Sequence, residues 1–265
     1  MYGVCGIVVI EIIWGVILSI DIHKNMLYKI AHFLRDQMPW LWNLVDVMNS
    51  MLFRMRYGKE LDHIEIEICN KCDLTNLRYG NYYVVPIREV ATEELVEFFA
   101  AQPVEAYVFF RPHGFDAQSI MKLQRNRAFL AYVLRDVENG KIAGYCFNRS
   151  FFNGKGFRGR MVDIEYRGNG LGTMMNRLLN KVGFGIGLRL FETVSKDNVA
   201  SYRSAISASS FRIIEELPHN ELYLEIINDM KHNNINKNLI GGGKSHVVIL
   251  QPLFVANNTQ ERRAA

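Results

Sequence analysis

The segment Val162-Asp163-Ile164-Glu165-Tyr166-Arg167-Gly168-Asn169-Gly170-Leu171-Gly172 carries the sharpest chemical signal in the chain. A strand-like pattern runs into three alternating glycines and then directly into a helical pattern. Such a turn aims several backbone N–H groups at one point, at the positive end of a helix dipole. Glycine admits a phosphate where a side chain would block its approach. The turn is therefore a candidate site for an anion such as a pyrophosphate. A dinucleotide site would need the turn early in a βαβ unit, with an acidic residue on the next strand. Here several strands precede the turn, and Arg167 opens it. A second run, Gly241-Gly242-Gly243-Lys244-Ser245, has Asn238 where a P-loop needs glycine, and reads as a linker. Cys5, Cys69, Cys72 and Cys146 are scattered, and no second ligand pair accompanies Cys69-Asn-Lys-Cys72. No metal site is expected, and reduced thiols fit a cytoplasmic protein.

The surrounding elements must position that turn. YYVVPI at 82–87 reads as a strand, and Thr92 as the cap of a helix running to Phe99. A second helix, Ala117 to Arg125, follows the loop Arg111-Pro112-His113-Gly114-Phe115-Asp116. The apolar runs 128–137 and 141–148 form a hairpin at Asn139-Gly140. A third strand ends near Met161-Val162, and a helix fills about 171–183. The strand 188–194, a helix from Asn198 to Ala208, and a hairpin of 211–217 with 222–227 complete a mixed α/β pattern.

Outside that domain the chain divides into a hydrophobic and amphipathic helical extension (1–60), a strand and linker (61–81) and a polar tail (228–265). The strand rests on Ile64, Ile66 and Ile68 alternating with Glu65 and Glu67. Residues 3–20 are almost continuously apolar but short for a bilayer helix, and contain Glu11. No basic residue precedes them, as a signal peptide would require. Leu27, Ile30, Leu34, Met38, Leu41, Val45, Met48, Leu52 and Met55 recur as the apolar stripe of one long amphipathic helix, or of two helices broken at Pro39. Residues 3–57 thus offer contact with a membrane or a partner helix. With 49% hydrophobic residues the 265-residue chain is not disordered. Its 31 basic against 27 acidic residues, net +4, make no case for nucleic acid.

Residues 82–227 resemble the GNAT superfamily of acyl-CoA-dependent N-acyltransferases. The family signature [QR]-x-x-G-x-[GA] is met by Arg167-Gly168-Asn169-Gly170-Leu171-Gly172, with Glu165-Tyr166 before it. Asn198 followed by Ser201 matches a second family element. The resemblance implies an α/β (α+β) fold with a mixed, mostly antiparallel sheet flanked by helices, here with an N-terminal helical extension. It implies transfer of an acyl group, most simply acetyl from acetyl-CoA, to an amine. Arg160, Met161 and Val162 would pair with the pantetheine arm, and the amides of Arg167 to Gly172 would hold the pyrophosphate. Thr173 would assist at the helix start, and Asn198 would contact the CoA side of the cleft.

The catalytic groups are less legible. No acid lies on the strand Lys155 to Arg160, and Ala205 stands where many members carry tyrosine. The candidates that remain are His113, Asp163 and Tyr202. The acceptor is open between a small amine, an amino sugar and a protein; Lys155, Arg158 and Arg160 would suit an anionic one. The competing reading is a non-catalytic acyl-CoA-binding module, attached to a partner or membrane by its N-terminal helices.

Overall fold

The structure, a computed structural model, describes residues 39–69 and 81–228. The apolar run 3–20, the expected linker beyond residue 69 and the tail from 229 lie outside the described residues.

Helix α1 (Pro39–Ile68) opens on proline, whose missing N–H is no loss in a first turn. Phe53, Tyr57, Leu61 and Ile68 form its buried face and join the main core. Residues 61–68, expected as a strand, are therefore the end of this helix. Alternating Ile and Glu satisfies a period of two, but burial follows the helical period: Leu61, Glu65 and Ile68 face inward, and Ile66 faces solvent. Glu65 reaches the core because it pairs with Arg88, at 3.0 Å through one of two bonds, and accepts a 3.0 Å hydrogen bond from the Tyr132 hydroxyl. The boundary expected at residue 60 thus falls inside an element that packs on the domain. The stripe expected at Met48, Leu52 and Met55 is turned outward, with Met55 81% exposed.

Seven strands form one sheet in the order β1-β2-β3-β4-β5-β7-β6. They are β1 (Tyr82–Pro86), β2 (Phe129–Asp136), β3 (Ile142–Ser150), β4 (Lys155–Val162), β5 (Arg189–Ser195), β6 (Phe211–Leu217) and β7 (Glu221–Ile226). All neighbours are antiparallel except β4 and β5. A parallel pair needs a crossover, which α4 (Leu171–Gly185) supplies. The fold class expected from the sequence is the one observed.

The central strands are buried on both faces, as alternation along β2 shows. Leu130, Tyr132 and Leu134 face α1 and α4, whereas Phe129, Ala131 and Val133 face α2 (Thr92–Ala100) and α3 (Ala117–Arg125). Thr92 is the first residue of α2 and not its cap, and its hydroxyl donates to Gln124 Oε1 at 2.9 Å. Asp116 caps α3 by accepting from the Ser119 amide. A last helix, α5 (Val199–Ala208), follows β5.

The outward turn of the expected stripe can be tested by equilibrium denaturation. Phe53→Ala should cost about 3–5 kcal/mol, the range for a buried phenylalanine. Met55→Ala should stay within about 0.5 kcal/mol of the parent. Equal losses would mean that the face carrying Met55 is buried as well.

Candidate functional site

The parallel pair is short. Lys155, Gly156 and Phe157 register with Arg189, Leu190 and Phe191, and there the pairing stops. Beyond it β4 remains paired to β3 as far as Val162, and β5 to β7 as far as Ser195. The two strands part, and residues 158–162 keep an edge that no strand of the described residues covers. A cavity of about 640 Å³ opens at the parting.

One end of this cavity is the glycine turn. Gly168 (φ 83°) and Gly170 (φ 76°) adopt the left-handed conformation that other residues resist. A Cβ at either would meet nothing within 4 Å, so the glycines serve backbone shape and open access rather than close packing. Gly170 occupies the cap position of α4 without a side-chain hydrogen bond, and the first turn holds no acid. The leading amides of a helix have no partner within it. Those of Leu171, Gly172 and Thr173 therefore stand at the cavity with the positive end of the dipole and the guanidinium groups of Arg167 and Arg203. Such an arrangement is chemically suited to an anion.

A buried ion pair bridges the parted strands. Glu192 of β5 pairs with Arg158, at 2.5 Å, and Arg160, at 2.9 Å, both on β4. All three side chains are at most 7% exposed. Burial alone would push the Glu192 carboxyl up, but two flanking guanidiniums outweigh it and hold it below the usual range. Arg160 also donates to the Ser201 carbonyl at 2.8 Å and to the Ser204 hydroxyl at 2.6 Å, tying β4 to α5. Asn180 of α4 accepts from Arg158.

Of the cofactor-side residues expected from the sequence, all but Asn169 line this one cavity. Asn198 does so while capping α5, its side chain accepting from the Ser201 amide at 3.1 Å. That bond explains the Asn-to-Ser spacing. The three catalytic candidates are not brought to the cavity. Asp163 is held by the Glu165 amide and by Gln102, which donates at 2.7 Å. Tyr202 packs against the main core. His113 sits among Phe99, Phe115, Phe129, Tyr145 and Phe147. Its Nδ1–H donates to the Gly114 carbonyl at 2.8 Å, so Nε2 accepts from the Tyr145 hydroxyl at 3.0 Å. Burial, assisted by Arg149, lowers its pKa to about 4. Neither Arg158 nor Arg160 is available for an anionic acceptor in the expected way, because Glu192 engages both.

Several lining residues escaped the sequence reading. Glu192 had one signal, the lone acid of its strand beside Leu190, Phe191 and Val194, where a buried carboxylate demands a partner. Glu105 had none, since it sits on a short 3-10 helix brought in by tertiary packing, whereas Phe109 and Phe110 open the loop in which only His113 was singled out.

No family model matches the sequence, and no curated protein matches it. Among solved structures the chain is similar to the ribosomal-protein-S5-alanine acetyltransferase from Vibrio fischeri, at 16% identity and TM-score 0.45, over 57% of this chain and 95% of that one. It is also similar to the GNAT domain of S. lividans PAT, at 14% identity and TM-score 0.47, over 54% and 88%. A third is AAC(6')-Ib, solved in complex with paromomycin and acetyl-CoA, at 15% identity and TM-score 0.43, over 58% and 97%.

Glu192→Gln would leave two buried guanidiniums with no counter-charge, and should cost about 3–5 kcal/mol by denaturant unfolding. A loss below about 1 kcal/mol would mean that water reaches the pair. Because its pKa is depressed on folding, Glu192 contributes stability that is present above the unfolded value and lost as pH falls through the folded one. For His113 the contribution of the neutral ring is complete above about 6.5 and lost as pH falls through about 4. His113→Phe should flatten the melting temperature over that interval, and an unchanged acid limb would assign it elsewhere.

Proposed function

We propose that the protein is an acyl-CoA-dependent N-acyltransferase, transferring an acyl group, most simply acetyl, to a primary amine by direct attack in a ternary complex. One observation carries the reading: an uncapped, glycine-shaped helix N-terminus stands at the same cavity as an uncovered strand edge. An acyl-CoA has the matching chemistry, with phosphates for the cradle and an extended amide-bearing arm for the edge. The motif Arg167 to Gly172 and the pair Asn198 and Ser201 support it from the sequence side.

The chemistry asks little of the protein. The amine nitrogen attacks the thioester carbon, the C–N bond forms, and the C–S bond breaks with its electron pair leaving on sulfur. The thiolate takes up a proton, and the surplus proton of the amine passes to water. Positioning the two substrates supplies most of the acceleration. An N–H on the β4 edge polarises the carbonyl where negative charge develops.

Calorimetric titration of the full-length protein with acetyl-CoA, CoA and NAD tests this. Acetyl-CoA and CoA should bind and NAD should not. Gly170→Asp should weaken CoA binding by more than about tenfold, or 1.4 kcal/mol, because a fixed carboxylate would occupy the cradle. Absence of heat with any CoA species would overturn the assignment. Binding without acyl transfer to any amine would leave an acyl-CoA-binding module.

A further inference from the structure

The cavity is chemically two-sided. Side chains alternate along β4, so Arg158 and Arg160 point to the α4–α5 face, where Arg160 meets Ser201 and Ser204. Gly159 and Met161 lie on the opposite face, Met161 within the cluster built by α2 and α3. The cations, the serine hydroxyls and the open helix N-terminus therefore belong to the first face. The wall on the second face is Glu105, Ala106, Phe109, Phe110, Pro112 and Phe147. It holds a single charged group, the carboxylate of Glu105. The other acid of the cavity, Glu192, is neutralised by its two arginines.

This wall is apolar beyond the cavity itself. Phe109, which lines the cavity, is 37% exposed, and Val104 and Val108 of the same segment are 78% and 65% exposed. Its floor is fixed. A Cβ on Gly159 would fall 2.6 Å from the Phe147 ring, which lies against the β4 backbone. Phe147 is stacked on Phe129 at 5.0 Å and backed by His113 at 6.1 Å. The Tyr107 hydroxyl is committed to the Phe99 carbonyl, and so adds no donor to the wall.

We propose that the acyl acceptor is a primary amine on an apolar or aromatic body, bound with its ammonium against Glu105 and its body on the Phe109–Phe110–Phe147 wall. This rests on the acyl-CoA reading above and assigns the substrate class of the same site. An anionic acceptor would meet no cation among the residues lining that wall. An amino sugar would bring hydroxyls to a wall that leaves them unpartnered, at a cost for each buried group. A cationic head beside aromatic rings gains from their faces as well as from the carboxylate. Glu105 thus fixes the amine, and water carries the proton away once the nitrogen leaves its ammonium form.

The test measures CoA thiol release by the full-length protein from acetyl-CoA with five acceptors: phenethylamine, methylamine, spermidine, glucosamine and glutamate. Phenethylamine should exceed glucosamine and glutamate by at least about tenfold in kcat/KM, as expected for complementary against mismatched polar groups. Spermidine, with charges along its length, should fall between. Glu105→Gln should raise KM for phenethylamine by about tenfold or more with little change in kcat, and Glu105→Asp should restore much of it. Phe109→Ala should depress turnover of phenethylamine while sparing methylamine. Acetyl-CoA affinity should be unchanged in all three variants, which also reports that they fold. Turnover confined to glucosamine or glutamate, or an unaltered KM in Glu105→Gln, would overturn the proposal while leaving the acyl-CoA reading intact. If acetyl-CoA does not bind the parent protein, both fall together.

Discussion

The parting of β4 from β5 requires two strand edges to separate inside the domain, and the charges of Arg158, Glu192 and Arg160 hold them at that separation. A parallel pair that stops after Phe157 loses the backbone bonds that would continue it. Glu192 replaces them with a bridge between side chains, fixed by charge on both sides and shielded from water. Such a bridge resists loss of one partner far more than it adds net stability, because an unpaired buried charge is the costly state. It sets a width that backbone pairing would close, and the cavity follows from that width.

Everything that faces the cavity is anchored to the same frame. Arg160 reaches from β4 to two serines of α5, and Asn180 carries the contact to α4. The helix whose N-terminus opens on the cavity is thus joined to the strand whose edge is uncovered. On the other face, Phe147 lies across Gly159 and is supported by the aromatic cluster around His113. His113 serves the site indirectly, as a neutral ring whose two nitrogens are both engaged in holding its loop.

Helix α1 belongs to this frame and is not an accessory. Phe53, Tyr57 and Leu61 enter the core that also contains Leu171 and Met175 of α4. Glu65 links the helix to Arg88 and to Tyr132 in the middle of the sheet. The domain that positions the cavity therefore includes residues well before β1.

Most elements of residues 82–227 and the glycine turn were legible in the sequence alone. Apolar runs bounded by turn residues marked the strands, Asn139-Gly140 marked a hairpin, and Arg167 to Gly172 marked a strand–turn–helix junction. These are local constraints, written in backbone conformation and in spacing within a few residues. Tertiary structure decided what is joined over distance. Period two in Ile64 to Ile68 gave way to the helical period, because burial against the sheet, and not the pattern alone, selects a conformation. Glu192 found its partners 32 and 34 residues away. Glu105 and Phe109 reached the cavity from a segment with no pattern to announce it. His113, chemically the most inviting residue of its loop, was withdrawn into an aromatic cluster. No spacing rule records such encounters, since they depend on which faces the sheet brings together.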